Sequence, residues 1–315
     1  MQDLVASQTA LATALMRALH TRADPQPLLH DPWGDRLVPE AVIEAIRQRV
    51  LAASASEPGE ASSVDARTFV DRFLRASPAY ASVILRSRYT EDALHAAVAR
   101  GVRQYVMIGA GFDSYALRRP SVASDVTVYE IDHPATQALK RRQLAECEVA
   151  LPASLHFLAA DLARESLGDV LSRSPFRCDQ PAFFSWLGVT MYLTRDANLA
   201  SLRAIAQCGA PGSELVFTYL DQAVFQQQSL PATFRELQRA VSSLGEPFLS
   251  GFDPSALSGD LRNVGLELEE DLEDMALVER YDGAGANNLR PAARSRIARA
   301  RVVNGRSDAA AHTSR

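Results

Sequence analysis

The stretch Gly101–Arg142 (GVRQYVMIGAGFDSYALRRPSVASDVTVYEIDHPATQALKRR) constrains the fold more than any other part of the chain. An apolar run, Tyr105 to Ile108, stops at Gly109-Ala110-Gly111, the pattern of a buried parallel strand that turns sharply at its carboxyl end. Gly109 and Gly111 lack a Cβ, so the turn can use left-handed dihedrals and offer bare backbone to a ligand. A second strand, Thr127 to Ile131, leads to Asp132, 23 residues beyond Gly109. An acid at that spacing can accept both hydroxyls of a ribose lying across the first turn. Glu130 is the alternative acid, one step further inside the strand.

Two kinds of nucleoside fit this outline. A dinucleotide site uses G-x-G-x-x-G, with its pyrophosphate at the helix amino end. Here the third glycine position is Ser114, and Asp113 would set negative charge beside the phosphates. S-adenosylmethionine carries no phosphate and is cationic at sulfur and at its ammonium, so an acidic turn suits it. A nicotinamide-dependent oxidoreductase therefore stands as the rival reading.

At 315 residues the chain has room for one large α/β domain with appendages. The strands continue at Leu155–Ala159, Pro181–Leu187 and Glu214–Leu220, alternating with helical segments such as Pro134–Ala145 and Arg195–Ala206. That alternation predicts a doubly wound, Rossmann-like, mostly parallel sheet, completed to seven strands by Leu266–Glu270 and Ile297–Val303. We expect a helical amino-terminal cover over residues 1–100, a core over 101–303 with a lid insertion at 221–262, and a frayed tail at 304–315. The cover should contain helices at Gln2–Leu19, Glu40–Ala53 and Val64–Arg100, the last interrupted near Pro78, with a mobile loop at Ala55–Ser63.

Composition narrows the classes further. Cys147, Cys178 and Cys208 are scattered and the six histidines show no ligand spacing, so neither a disulfide framework nor a metal site is expected. A net charge of -5 without an extended basic block argues against a nucleic-acid partner. No long apolar run or leader-like start is present, so we expect a cytoplasmic protein that does not enter a membrane. Lys140 is the only lysine, which reads as a compositional bias.

Taken jointly, Arg86-x-Arg88-Tyr89, Ile108-Gly109-Ala110-Gly111-Phe112-Asp113-Ser114, Tyr129-Glu130-Ile131-Asp132-His133-Pro134, Asp161-Leu162 and Gly188-Val189-Thr190-Met191-Tyr192-Leu193 resemble the leucine carboxyl methyltransferase-like family of S-adenosylmethionine-dependent O-methyltransferases. The resemblance runs from about Pro27 to Arg301. It implies that Arg86 binds the methionine carboxylate of the cofactor and that Gly109 and Gly111 let the cofactor approach. It further implies that Asp132 holds the ribose and that Asp161 and Leu162 meet the adenine. Arg88 is expected to be a surface or salt-bridging residue. One departure stands out: the family commonly carries a glutamate two residues before Val189, and this chain has Leu187.

The implied reaction is methyl transfer to a small molecule, such as a secondary metabolite. A carboxylate acceptor is already ionised and needs no base, whereas a hydroxyl would be helped by one. The resemblance, together with the lack of a histidine and acid pair that offers itself as that base, makes carboxyl O-methylation the expectation. Hydroxyl methylation and a non-catalytic cofactor-binding module are the alternatives, and the sequence does not fix an oligomeric state.

Overall fold

In the computed structural model the apolar runs become strands of a seven-stranded sheet with helices on both faces. The structure describes residues 7–53, 65–118, 125–162, 164–225, 232–243, 246–292 and 294–303. The expected loop at Ala55–Ser63 and tail from Asn304 lie outside the described residues. Before the sheet come α1 (Gln8–Ala23), α2 (Gly34–Leu37), α3 (Glu40–Ala53), α4 (Ala66–Ala76) and α5 (Tyr80–Ala99). Then follow β1 (Gln104–Ile108), α6 (Tyr115–Arg118), β2 (Thr127–Asp132), α7 (Pro134–Glu146), β3 (Leu155–Ala159), α8 (Leu167–Ser172), β4 (Phe183–Trp186), α9 (Arg195–Cys208) and β5 (Glu214–Leu220). Helices α10 (Ala232–Ser243) and α11 (Leu257–Arg262) precede β6 (Leu266–Glu273), α12 (Asp274–Asp282) and β7 (Ser295–Val302).

The strand order is β3-β2-β1-β4-β5-β7-β6, with β7 antiparallel to both of its neighbours. The order reverses between β1 and β4, and a crevice opens outside the carboxyl ends at such a switch point. Register brings the relevant ends together: Ile108 pairs with Ile131 and Tyr105 with Phe183, so the turn after β1 lies beside Asp132 and beside the loop after β4.

Strand side chains alternate between faces, and both faces are covered. Tyr105 and Met107 of β1 join the core beneath α1 and α5, whereas Val106 and Ile108 join the core on the other face with Phe184 and Trp186. A smaller cluster of Met191, Leu220, Val224 and Phe234 sits where α10 meets the end of β5.

Boundaries moved where polarity hides them. β4 starts at Phe183, after Pro181, which has no N–H to give a ladder. β6 runs on to Glu273 because its outward acids face water and Arg299, which lies 3.4 Å from Glu269. Helix α1 starts at Gln8, where the Ser7 hydroxyl accepts from the Ala10 N–H at 3.2 Å. Among the described residues no helix is long and apolar enough to cross a membrane.

Helix α2 begins at Gly34, whose missing side chain lets it rest directly on α1: a Cβ there would run into the Ala14 carbonyl. Gly34→Ala should therefore lower stability by about 1–3 kcal/mol through overpacking. Urea unfolding followed by circular dichroism measures this, and an unchanged midpoint would mean that the two helices separate without cost.

Candidate functional site

The turn after β1 uses left-handed backbone at Gly109 (φ +72°) and Gly111 (φ +53°). The chain's own atoms already lie against both glycines. A Cβ on Gly109 would stand 2.6 Å from Val189 Cγ2, and one on Gly111 would stand 3.1 Å from the Ala10 Cβ. The loop after β4 and the amino end of α1 thus converge on the glycine turn.

Asp132 ends β2 with both carboxylate oxygens turned to backbone. Its Oδ2 accepts from the Gly111 N–H and its Oδ1 from the His133 N–H at 2.7 Å. Burial pushes this carboxyl above its ordinary range, and the two N–H bonds pull it back. Glu130, the alternative acid, faces inward and is paired with Lys140 Nζ at 2.5 Å, both side chains being buried. The same Nζ donates to the Asp113 carbonyl at 2.5 Å. Lys140 is therefore no mere bias of composition: it pins the second half of the glycine turn to β2 and leaves Asp132 as the acid on the sheet edge. The Asp113 carboxylate accepts from the Tyr115 N–H at 2.7 Å and so caps α6.

Arg86 reaches the same edge from α5. Its guanidinium lies against Gly188, where a Cβ would come within 2.8 Å of Nη1, and Gly188 itself has φ +70°. Burial lowers its pKa to about 10, so it stays charged at neutral pH. Its electrostatic neighbours are Tyr192, Arg17 and Asp274, and among the described residues no carboxylate pairs with it at ion-pair distance. A desolvated guanidinium without a paired anion is costly, and its position invites one. One turn earlier on α5, Ser82 donates to the buried Asp274 at the start of α12. Burial pushes Asp274 up to about 7, against the pull of Ser82 and Arg86.

Asp161 follows β3 on this edge, since the Ala160 N–H donates to the Asp132 carbonyl at 2.9 Å. Its carboxylate lies 3.4 Å from Arg164, and Leu162 beside it is 37% exposed. Arg86, the two glycines, Asp132, Asp161 and Leu162 thus all stand on the carboxyl edge of the sheet. Arg88 instead pairs with Asp92 at 3.0 Å and donates to the Leu28 carbonyl, as a salt-bridging residue should.

The sequence reading missed the groups that fasten the amino-terminal helices to this edge. Arg17 donates to Asp31 at 2.8 Å and to the Phe112 carbonyl at 2.7 Å. Burial alone would push Asp31 up, but Arg17 and Arg118 hold it below the ordinary carboxylate range, and Ser114 hydrogen-bonds to it. Arg118 donates to Ser114 at 3.0 Å and pairs with Glu91 of α5 at 2.5 Å. The available signal for Arg17 was its place inside the apolar run Ala14–Leu19.

The sequence profile of the leucine carboxyl methyltransferase family matches residues 10–206, well over half of the chain. The chain belongs to that family. The Bacillus subtilis (strain 168) protein named "Putative S-adenosyl-L-methionine-dependent methyltransferase YktD" is 30% identical over 291 residues, covering 89% of this chain and 94% of that one. A similarly named Mycobacteroides abscessus protein is 33% identical over 216 residues, 68% of each chain. The crystal structure of a DUF574 family protein from Streptomyces avermitilis shares the fold, with TM-score 0.55 at 15% identity over 82% of this chain and 95% of that one. Membership makes the chain a methyltransferase that takes its methyl group from S-adenosylmethionine, as the glycine turn and its acid led us to expect.

Asp274 gives the site a pH signature. Its folded pKa of about 7 lies above the ordinary value of 3.8, so between these limits the folded state holds a proton that the unfolded state has lost. Stability from this group is full below about pH 4 and is lost as pH rises through about 7. Asp274→Asn should therefore gain stability relative to the parent as pH rises across that window. Denaturant titrations at several pH values test this, and parallel curves for the two proteins would contradict it.

Proposed function

We propose that this S-adenosylmethionine-dependent methyltransferase esterifies a carboxylate of a small molecule. The observation that supports this most is the set of side chains around Arg86, which contains Tyr192, Ser82 and Asp274 but no imidazole among the described residues. His20 is tied to Asp24 and accepts from the Leu28 N–H, and burial takes its pKa down to about 4. His95 packs at a tilt against Tyr115, His156 stacks on Tyr129, and His133 caps α7. Burial pushes the Tyr192 phenol up to about 12, which makes it a poor base. An acceptor that arrives ionised suits such a site.

We assign the cofactor-binding roles to Arg86, Gly109, Gly111, Asp132, Asp161 and Leu162. A buried cation without a paired anion fits the cofactor's carboxylate, and Asp132 has lone pairs left for ribose hydroxyls after its two backbone bonds. The cofactor supplies an electrophilic methyl group on a sulfonium that leaves neutral. The protein's own part is orientation and exclusion of water. Arg86 fixes one end, Asp132 the other, and the amino-terminal helices with α10 and the described chain at 246–256 act as cover and lid around the acceptor. Segment 257–262 is not part of that lid, because Leu257 and Leu261 of α11 are buried in the sheet core.

Asp274 favours a second reading. In that reading the buried acid, held at about 7 beside Arg86, serves as base for a hydroxyl acceptor. The product separates the two: labelled methyl from an ester is released by mild alkali, whereas an ether keeps it. Alkali-labile product from a panel of carboxylic acids is the expected result, and alkali-stable product from phenols or alcohols would favour the second reading.

For cofactor binding, Asp132→Ala should weaken S-adenosylhomocysteine by about 1.5–3 kcal/mol through lost hydrogen bonds. Calorimetry measures this, and unchanged affinity would place the nucleoside elsewhere.

A further inference from the structure

The donor's amino-acid end is a zwitterion, so a site with Arg86 for its carboxylate also needs a partner for its ammonium. The segment beside Arg86 offers no carboxylate for it: residues 187–193 are Leu, Gly, Val, Thr, Met, Tyr and Leu, with no acid among them. A carboxylate comes instead from the far side of the lid segment. Glu246, between α10 and α11, accepts a hydrogen bond at 2.6 Å from the Thr9 hydroxyl on the first turn of α1. Thr9 adjoins Ala10, the residue that lies over Gly111. The chain around Glu246 is fixed to the loop after β4, since the Leu249 N–H donates to the Met191 carbonyl at 2.7 Å and Phe248 packs on the Tyr192 ring at 5.7 Å.

The Tyr192 phenol ties these charges together. It lies within electrostatic reach of both Glu246 and Arg86 and hydrogen-bonds to Thr9. A cation and an anion therefore flank one phenol above the glycine turn, the cation from α5 and the anion from the lid. Asp274 is already occupied by Ser82 and deeply buried, while Glu246 is half-buried and uses only Oε2 for Thr9.

We propose that Glu246 completes the cofactor site by accepting the ammonium of the donor's amino-acid moiety, opposite Arg86. This rests on the cofactor roles assigned above. It explains how the chain manages with Leu187 where its relatives by resemblance commonly carry an acid.

The test uses Glu246→Gln and calorimetry with S-adenosylhomocysteine, its deaminated analogue and 5′-methylthioadenosine, which lacks the amino-acid moiety. The variant should bind S-adenosylhomocysteine at least roughly tenfold more weakly than the parent, while the other two ligands bind parent and variant alike. Equal binding of S-adenosylhomocysteine to both proteins overturns the proposal. Equal weakening of all three ligands also overturns it, because Glu246 would then be only a latch for Thr9. Failure of 5′-methylthioadenosine to bind even the parent would instead strike at the nucleoside site itself, together with the role of Asp132.

Discussion

A buried guanidinium must find its hydrogen-bond partners inside the fold, and Arg17 finds them in Asp31 and in the Phe112 carbonyl of the glycine turn. That arrangement ties together α1, the loop before α2 and the turn after β1. Ser114 extends it, bonded to Asp31 on one side and to Arg118 on the other, and Arg118 carries the connection to Glu91 on α5. Removing one member would leave a charge buried without its partner, so the amino-terminal helices and the turn hold their relative positions as a unit. The position that a dinucleotide-binding turn gives to a third glycine is here a hydrogen-bonded serine, which ties the turn to the helices above it.

The sheet edge sorts its charges by burial. Glu130 and Lys140 neutralise each other inside, beneath the turn, and Asp132 holds two backbone N–H groups at the carboxyl end of β2. Gly188 gives Arg86 room, and among the described residues no carboxylate stands at ion-pair distance from it, Asp274 acting on it only through the longer-range field. The result is a sheet edge with acid on the β2 side and base on the β4 side, the polarity suited to a ligand with ribose hydroxyls at one end and a carboxylate at the other. Leu187 adds apolar surface between them, packed against the core shared by the amino-terminal helices.

Much of this was legible in the sequence. β3 and β5 were located to the residue, because each is an apolar run bounded by turn residues. The placement of Gly109, Gly111 and Asp132 on one edge followed from the strand–turn–strand pattern alone. Less legible were the polar partners. Lys140 looked like a compositional accident, because nothing local marks a lysine as buried when its acid lies on another element. Glu246 sits between Gly245 and Pro247 in a stretch without helical or strand periodicity, and its partner Thr9 is 237 residues away.

By itself, the sequence determined the alternation of elements, the site of the sharp turn and the presence of an acid at the tip of β2. These are recorded in short-range patterns of hydrophobicity and glycine, which the backbone obeys wherever the segment ends up. Only the tertiary structure decided which acid is neutralised inside and which ends up on the sheet edge, and which arginine is paired and which is left open. Those outcomes depend on side chains that meet across long separations in the chain, and their energies come from burial and proximity that no local pattern encodes.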